Sequence, residues 1–186
     1  MEYRNTLSDG EEPAVPQTEW ILGQIRHKQP LSVDEIFCLN REREAFRTAA
    51  LQHWNAAKGP TGRPVDAILC PVAPTLAPPH DTTCWWSYSS HWNLLDLPAV
   101  VFPVGQYTAD SEQLQGARVP HARDGIETFI AEQWNPSTYD NAPISLQLVG
   151  RRHNEERLLA ILRAIEAIVP PDVPGGLSKG VANGHH

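Results

Sequence analysis

The sequence lacks a long apolar segment. Its 186 residues contain no apolar leader core near the start. They also contain no apolar run approaching the roughly 18 residues from which a membrane-spanning helix is recognised. We therefore expect neither a membrane-spanning helix nor an export signal.

Cysteine is scarce. Cys38, Cys70 and Cys84 are odd in number, widely spaced and outside any C-x-x-C pattern. Small secreted domains held together by disulfides carry a denser, even set. The sequence therefore indicates a reducing compartment, and we predict a cytoplasmic protein. Cys70 and Cys84 have no partner that would make either a nucleophile, and Cys70 ends an apolar stretch where a buried, inert thiol is expected.

Basic residues are outnumbered by acidic ones. Lys and Arg total 15 against 22 Asp and Glu, which gives a net charge of −7. This charge opposes binding to nucleic acid or to an anionic membrane surface, so we expect neither partner. With 41% hydrophobic and 20% charged residues, the composition is that of an ordinary soluble globular domain.

Metal-binding patterns are missing as well. Residues of ligand type lie near one another at His80, Asp81, Cys84 and His91. Their spacing matches no standard zinc pattern, so we interpret them as incidental polar residues around a loop. The terminal pair His185 and His186 is too short to claim as a site. We predict no metal and no cofactor.

A long helix is the first confident element. Ser32 and Glu35 form a capping-box pattern, and a helix to about Ala57 follows. Its apolar positions recur at roughly helical spacing: Ile36, Leu39, Phe46, Ala49, Ala50 and Trp54. Residues 1–31 before it are predicted to be an N-terminal extension that is partly disordered.

Three strands are predicted after this helix. They cover Val65 to Cys70, Ala99 to Phe102 and Ile144 to Val149. The second is an unbroken apolar run bounded by prolines, which is typical of a strand covered on both faces. Pro103 cannot donate to a ladder and should therefore lie at the end of that strand. The third alternates, with Ile144, Leu146 and Leu148 on one face.

The remaining segments are a long excursion and a C-terminal helix. Residues 106–141 are polar and predict one short helix around Ile126 to Ile130. Asn154 is a suitable N-cap for a second helix with a wide apolar stripe, which Pro170 ends. We predict a globular region over 32–169 and a disordered tail over 170–186.

An aromatic patch precedes the second strand. Trp85, Trp86, Tyr88 and Trp92 fall within eight residues. The patch is either ordinary core packing or the wall of a substrate pocket. For the second interpretation the candidate residues are Tyr88, Trp92 and Asn93. A short buried helix here would also require hydrogen bonds for the side chains of Asn93 and Asp96.

Three segments carry a resemblance to a known family. They are HWNLLDLPAVVFPVG at 91–105, VDAILCPVAP at 65–74 and APISLQLVGRR at 142–152. Together and in this order they resemble the C-terminal part of amidase signature enzymes, particularly the fungal acetamidase-like branch, from about Ser32 to Val169. The resemblance implies an α/β fold, in which this chain forms the C-terminal portion of a mixed sheet flanked by helices.

The resemblance also implies hydrolysis of a carbon–nitrogen bond by a Ser, cis-Ser, Lys triad. That triad belongs to a Gly/Ser-rich segment and a lysine segment, and this sequence contains neither. Its lysines are Lys28, Lys58 and Lys179, and its adjacent serines, Ser89 and Ser90, have no glycine beside them to build an oxyanion site. We therefore assign no catalytic residue.

Three hypotheses follow. The chain is a truncated amidase that acts on a small amide substrate only with a complementary N-terminal half, a non-catalytic binding or partner module, or a non-functional remnant. In each case the sheet would have an exposed edge through which the chain could associate with itself.

Overall fold

The computed structural model describes residues 2–24, 30–109 and 124–168. Within these ranges the chain forms six helices and three strands. In chain order they are α1 (Glu2–Asp9), α2 (Pro16–Gly23), α3 (Val33–Ala56), β1 (Ile68–Pro71), α4 (Ser87–Leu95), β2 (Ala99–Gln106), α5 (Gly125–Gln133), β3 (Pro143–Val149) and α6 (Glu155–Glu166). None of the helices in these ranges is both long and apolar enough to span a membrane.

The three strands form one antiparallel sheet with β3 in the centre. The order is β1-β3-β2, so Leu148 of β3 lies between Leu69 of β1 and Val100 of β2. This confirms the predicted α/β class and the three predicted strands. β1 begins at Ile68, later than predicted, because the backbone of Val65 forms hydrogen bonds with residues at the C-terminal end of α3 instead of with a strand. Its N–H donates to Ala57 O at 3.1 Å, and its carbonyl accepts from Trp54 Nε1 at 2.8 Å.

The prediction that Pro103 ends the second strand is wrong. β2 continues to Gln106, with a register shift between Pro103 and Gly105. The N–H of Gly150 donates to Pro98 O at 2.9 Å. In an antiparallel pair every second residue forms the backbone hydrogen bonds, so Val100 and Phe102 of β2 bond to β3, whereas Val101 and Pro103 do not. The nitrogen of Pro103 therefore faces the free side of the sheet, where no strand of the described chain requires an N–H.

One face of the sheet packs on α6. Phe102 and Leu148 form a buried cluster with Leu158 and Leu162 of that helix. The helix approaches the end of β3 closely, since a Cβ at Gly150 would lie 3.2 Å from the side chain of Leu158. The apolar stripe predicted for this helix is therefore its core face.

The other face is only partly covered. Gln147 and Val149 are buried there, while Ala99 and Val101 of β2 lie on the same face and are exposed, Val101 by 52%. The expectation that the second strand is covered on both faces is wrong for the described chain, because the helices on this face, α3 and α4, leave β2 uncovered.

Helix α3 begins as predicted but buries little. Ser32 N donates to Glu35 Oε2 at 2.7 Å, and Glu35 N donates to Ser32 Oγ at 3.3 Å, so the predicted capping box is confirmed. In the described structure Trp54 is the one buried residue of this helix. Its other large apolar side chains are exposed: Val33, Ile36, Phe37, Leu39, Phe46 and Leu51.

The short helix predicted in the excursion is confirmed as α5, which Asp124 caps by accepting from the N–H groups of Ile126 and Glu127. Asn154 holds the predicted N-cap position of α6, although its side chain makes no capping hydrogen bond. The N-terminal extension contains α1 and α2. The predicted tail lies outside the described residues, and so does the pair of terminal histidines.

Candidate functional site

The aromatic patch is organised by α4. This helix ends at Asp96, which takes a left-handed conformation with φ 58°, and Leu97 N then donates to Trp92 O at 3.1 Å. Pro98 follows and starts the path into β2, as the sequence predicts. The resulting turn directs the chain from the patch straight into the sheet.

The rings of the patch meet edge to face. Trp85 and Tyr88 have ring centroids 5.5 Å apart, and His91 and Trp92 have centroids 4.7 Å apart. Trp86 contacts Trp20 of α2 at 5.0 Å. Edge-to-face contacts of this kind pack efficiently, so part of the patch serves the fold itself.

Trp92 lines a groove between α3 and α4 with a volume of ≈730 Å³. Its indole N–H is buried beside the Cys70 thiol, and it makes no hydrogen bond of ordinary geometry with the described residues. The groove is mainly apolar, and its charged lining residues include Glu44, Arg47 and Arg152. A groove of this composition accepts apolar groups rather than a charged ligand.

Asn93 lies in a smaller cavity of ≈360 Å³ that also contains Asp96 and Arg152. Leu97 and Arg152 line both this cavity and the groove, so the two spaces adjoin. The structure therefore brings Trp92 and Asn93 to neighbouring cavities.

Tyr88 lies apart from these two cavities. Its side chain is 38% exposed, and its ring contacts Trp85. It is four residues from Trp92, so the two side chains share one side of α4. Of the three candidate residues, the structure places two at adjoining cavities and the third one helical turn away.

Asn93 and Asp96 are not buried, which corrects the expectation of a buried polar pair. Both are exposed because the turn after α4 faces solvent. Asp96 instead forms an ion pair with Arg152, whose guanidinium nitrogen lies 2.6 Å from Asp96 Oδ2. A guanidinium nitrogen of Arg47 lies 4.0 Å from the same oxygen. Arg47 also donates to the carbonyl of Leu94 at 2.8 Å, so this polar cluster joins α3, α4 and the segment after β3.

Among the described residues, the buried polar side chain of this face is that of Gln147, to which the sequence pattern assigns no role. It is 2% exposed, and its Nε2 donates to Pro71 O at 2.7 Å and to Tyr88 O at 2.8 Å. The side chain thus ties β1 and α4 to the central strand. The sequence feature that could have indicated its role is the single amide side chain among mainly apolar residues in the strand sequence ISLQLV.

Cys70 lies beside this amide at the end of β1. Burial raises the pKa of the Cys70 thiol, and interactions with the side chains of Trp92 and Gln147 lower it in part. A raised pKa leaves less thiolate at neutral pH, which is the wrong direction for a nucleophile. Cys70 is half-buried rather than buried, and the raised pKa agrees with the inert thiol expected from the sequence.

The other polar groups near the patch serve the fold. The hydroxyl of Ser89 donates to Trp86 O at 3.0 Å within the first turn of α4. The loop before α4 is held by two amides, since Gln17 donates to Thr83 O at 3.0 Å and Gln133 donates to Thr82 O at 3.1 Å. Among the described residues, no three His, Cys, Asp or Glu side chains come together as a metal site would need.

Comparisons with known proteins agree on one family. The sequence profile of the Amidase family matches residues 11–159. The chain is 33% identical to Amidase 2 of Gibberella moniliformis over 163 residues, covering 87% of this chain and 31% of that protein. It is 30% identical to the acetamidase of Emericella nidulans over 159 residues, covering 86% of this chain and 28% of that protein.

A solved structure of a fatty acid amide hydrolase matches with a TM-score of 0.80 and 29% sequence identity. That match covers 91% of this chain and 29% of the hydrolase. The chain thus spans about 30% of the length of the curated relatives that it matches. In the fatty acid amide hydrolase the same architecture occurs as one part of a longer chain.

Proposed function

This chain belongs to the amidase family, and we propose that it provides the C-terminal part of a hydrolase of carbon–nitrogen bonds whose nucleophile and base come from the segment that precedes the matched region in its relatives. The observation that carries this proposal is the match of nearly the whole described fold to about 30% of each relative. A complete enzyme needs the remaining part.

The chemistry explains why this part alone is insufficient. Enzymes lower barriers by about 8–23 kcal/mol, and amide cleavage needs an activated nucleophile together with donors that stabilise the oxyanion. The described residues contain acids and bases such as His91 and Asp96, but His91 packs against Phe46 and Asp96 pairs with Arg152. General acid–base groups in such settings supply only a small part of the required stabilisation.

In the completed enzyme, Tyr88, Trp92 and Asn93 form part of the wall of the pocket for a small amide substrate. Trp92 and Asn93 already line adjoining cavities, and Tyr88 follows on the same side of α4 as Trp92. An aromatic wall with one amide side chain suits a substrate that has a small apolar group attached to a polar carbonyl. The substrate is bound only when the complementary part is present.

The cellular setting we propose is the cytoplasm. Its support is that Cys38, Cys70 and Cys84 are all unpaired, which suits a reducing compartment. We also retain the proposal that the chain has neither nucleic acid nor a membrane as a partner, in keeping with its net charge of −7.

The proposal is tested by reconstitution. The purified chain is incubated with acetamide and with an aryl amide, alone and after co-expression with the segment of Amidase 2 of Gibberella moniliformis that precedes the matched region. We expect no turnover above buffer for either part alone and measurable ammonia release from the pair.

Two results would overturn the proposal. Turnover by the chain alone, abolished by a substitution within it, would place the chemistry in this chain. A stable pair that hydrolyses no amide would instead favour a binding or partner module, and amide binding by the chain alone would then be measured through its tryptophan fluorescence.

A further inference from the structure

Helix α3 presents an apolar surface that nothing in the described structure covers. The groove beside it is lined by Phe46, Ala50, Leu51 and Trp54 of α3 and by Trp92 and Leu95 of α4. Its volume of ≈730 Å³ is that of a space which several side chains can fill. We call this space the α3–α4 groove.

The exposure of α3 is unusual for a helix of this length. It spans 24 residues and buries only Trp54 among the described residues, and Leu51 at the groove is 54% exposed. Helices in proteins owe most of their stability to packing of an apolar face, and large exposed apolar patches mark interaction sites. The groove and the outer face of α3 therefore indicate a missing partner.

The length of the relatives identifies that partner. The fatty acid amide hydrolase contains the same fold over 91% of this chain, yet 71% of its own length lies outside the match, as the 29% coverage implies. The same relation holds for Amidase 2, of which only 31% is matched. A segment of that size, joined to this fold in one protein, has enough surface to cover a helix of 24 residues.

The shape of the groove argues against a second copy of the chain as its occupant. A symmetric dimer brings the same patch of both copies together and requires a self-complementary surface. The α3–α4 groove is concave, so the same surface on a second copy would face it with another hollow rather than with a complementary ridge.

We propose that the α3–α4 groove is the docking site for the amidase segment that precedes the matched region in the relatives, with apolar side chains of that segment packing on the α3 side of the groove. This proposal rests on the proposed function, since both assign a role to that segment, but docking requires no turnover. Docking on the α3 side, at Phe46, Ala50 and Leu51, would leave Trp92 on the α4 side available as part of the pocket wall described above.

The test compares two leucines of similar exposure. Leu51 lies in the groove and is 54% exposed, whereas Leu159 lies on α6 outside the groove and is 49% exposed. Tagged wild-type chain, Leu51→Lys and Leu159→Lys are each co-expressed with the preceding segment of Amidase 2. The molar ratio of the two polypeptides is then measured after purification on the tag.

We expect equal recovery of the segment with the wild type and Leu159→Lys, and about a tenfold loss with Leu51→Lys, as for a central interface residue. Because both leucines are exposed, circular dichroism and thermal midpoints of the isolated variants should match the wild type. A pair that forms with this pattern but hydrolyses no amide supports the docking site and overturns only the proposed function.

Other outcomes would overturn the docking proposal. These are recovery with Leu51→Lys equal to that of the wild type, or no recovery with a folded wild-type chain. A third contrary outcome would come from light scattering on the chain alone. A dimer that Leu51→Lys dissociates and Leu159→Lys leaves intact would assign the groove to a second copy.

Discussion

The side-chain amide of Gln147 donates to the backbone carbonyl of Tyr88 at 2.8 Å, across 59 residues of sequence. The same nitrogen donates to Pro71 O at 2.7 Å, so one buried side chain satisfies carbonyls at the end of β1 and in the first part of α4. This contact sets the height of α4, and with it the aromatic patch, above the sheet.

Replacing Gln147 should therefore destabilise the fold. Gln147→Leu keeps the apolar bulk but leaves two carbonyl oxygens without their donor, which typically costs about 1–3 kcal/mol. The measurement is the denaturant midpoint of the isolated chain. Gln106→Leu is the matched control, since that exposed amide also donates to a carbonyl, Asn141 O at 2.9 Å. Equal midpoints for the two variants would contradict the structural role of Gln147.

Asp96 should affect the stability of the fold through its backbone conformation more than through its charge. Its φ of 58° strains any residue with a Cβ, and Asp tolerates this conformation better than Ala. We expect Asp96→Ala to lower the free energy of unfolding by about 1 kcal/mol and Asp96→Gly to lower it less.

The ion pair of Asp96 with Arg152 is exposed and therefore contributes little. Asn93→Ala is the control, because this side chain is exposed and its loss should change stability by no more than about 0.5 kcal/mol. Both Asp96 variants and the control are compared by urea unfolding. A larger loss for the glycine variant than for the alanine variant would refute the argument from φ.

Cys38 and Cys70 should differ in reactivity. Burial raises the pKa of the Cys70 thiol, while Cys38 is exposed on α3. We expect iodoacetamide to modify Cys38 well before Cys70, and the rate at Cys70 to rise only at higher pH. Peptide mapping by mass spectrometry over a pH series measures both rates. Faster modification at Cys70 than at Cys38 near neutral pH would show that partial burial neither shields the Cys70 thiol nor raises its pKa.

The raised pKa of the Cys70 thiol should also make the stability of the fold depend on pH. Because folding raises the pKa of this thiol, its contribution is fully present below the ordinary thiol pKa of about 8.5 and is lost as pH rises through the folded pKa. Cys70→Val should remove that part of the alkaline decline. The decline is measured as denaturant midpoints at neutral and alkaline pH, and identical declines in both proteins would be the contrary result.

The free edge of β2 should promote association of the isolated chain. Ala99 and Val101 pair with non-hydrogen-bonded positions of β3, so their backbone groups face outward, and the Val101 side chain is 52% exposed. Light scattering coupled to size exclusion should show concentration-dependent association that Val101→Lys reduces. Ile126→Lys, at an exposed apolar position on α5, should leave it unchanged. A wild type that stays monomeric at all concentrations would contradict this prediction.

Local features of the fold could be predicted from the sequence. The start of α3 depends on Ser32 and Glu35, which lie three residues apart, and the end of α4 depends on Pro98 close by. Helix and strand periodicity likewise need only neighbouring residues. The family also follows from short ordered segments, because motifs are strings of adjacent residues.

The candidate site was less predictable, because exposure depends on which distant surfaces meet. The sequence placed Asn93 and Asp96 inside, since apolar residues surround them along the chain, but the turn after α4 faces solvent. It gave no special role to Gln147, whose partners lie 76 and 59 residues away. Pro103 could stay within a strand because its nitrogen faces a free edge, and only the sheet order defines that edge.

The sequence by itself determined helices α3 to α6, the three strands, their order and the family of this protein, because capping, periodicity and motifs act between residues close in the chain. Only the tertiary structure decided that most apolar side chains of α3 are exposed, that Gln147 connects three elements and that Trp92 and Asn93 line adjoining cavities. Those properties arise from packing between segments far apart in sequence, and no local pattern encodes which of two apolar faces will find a partner.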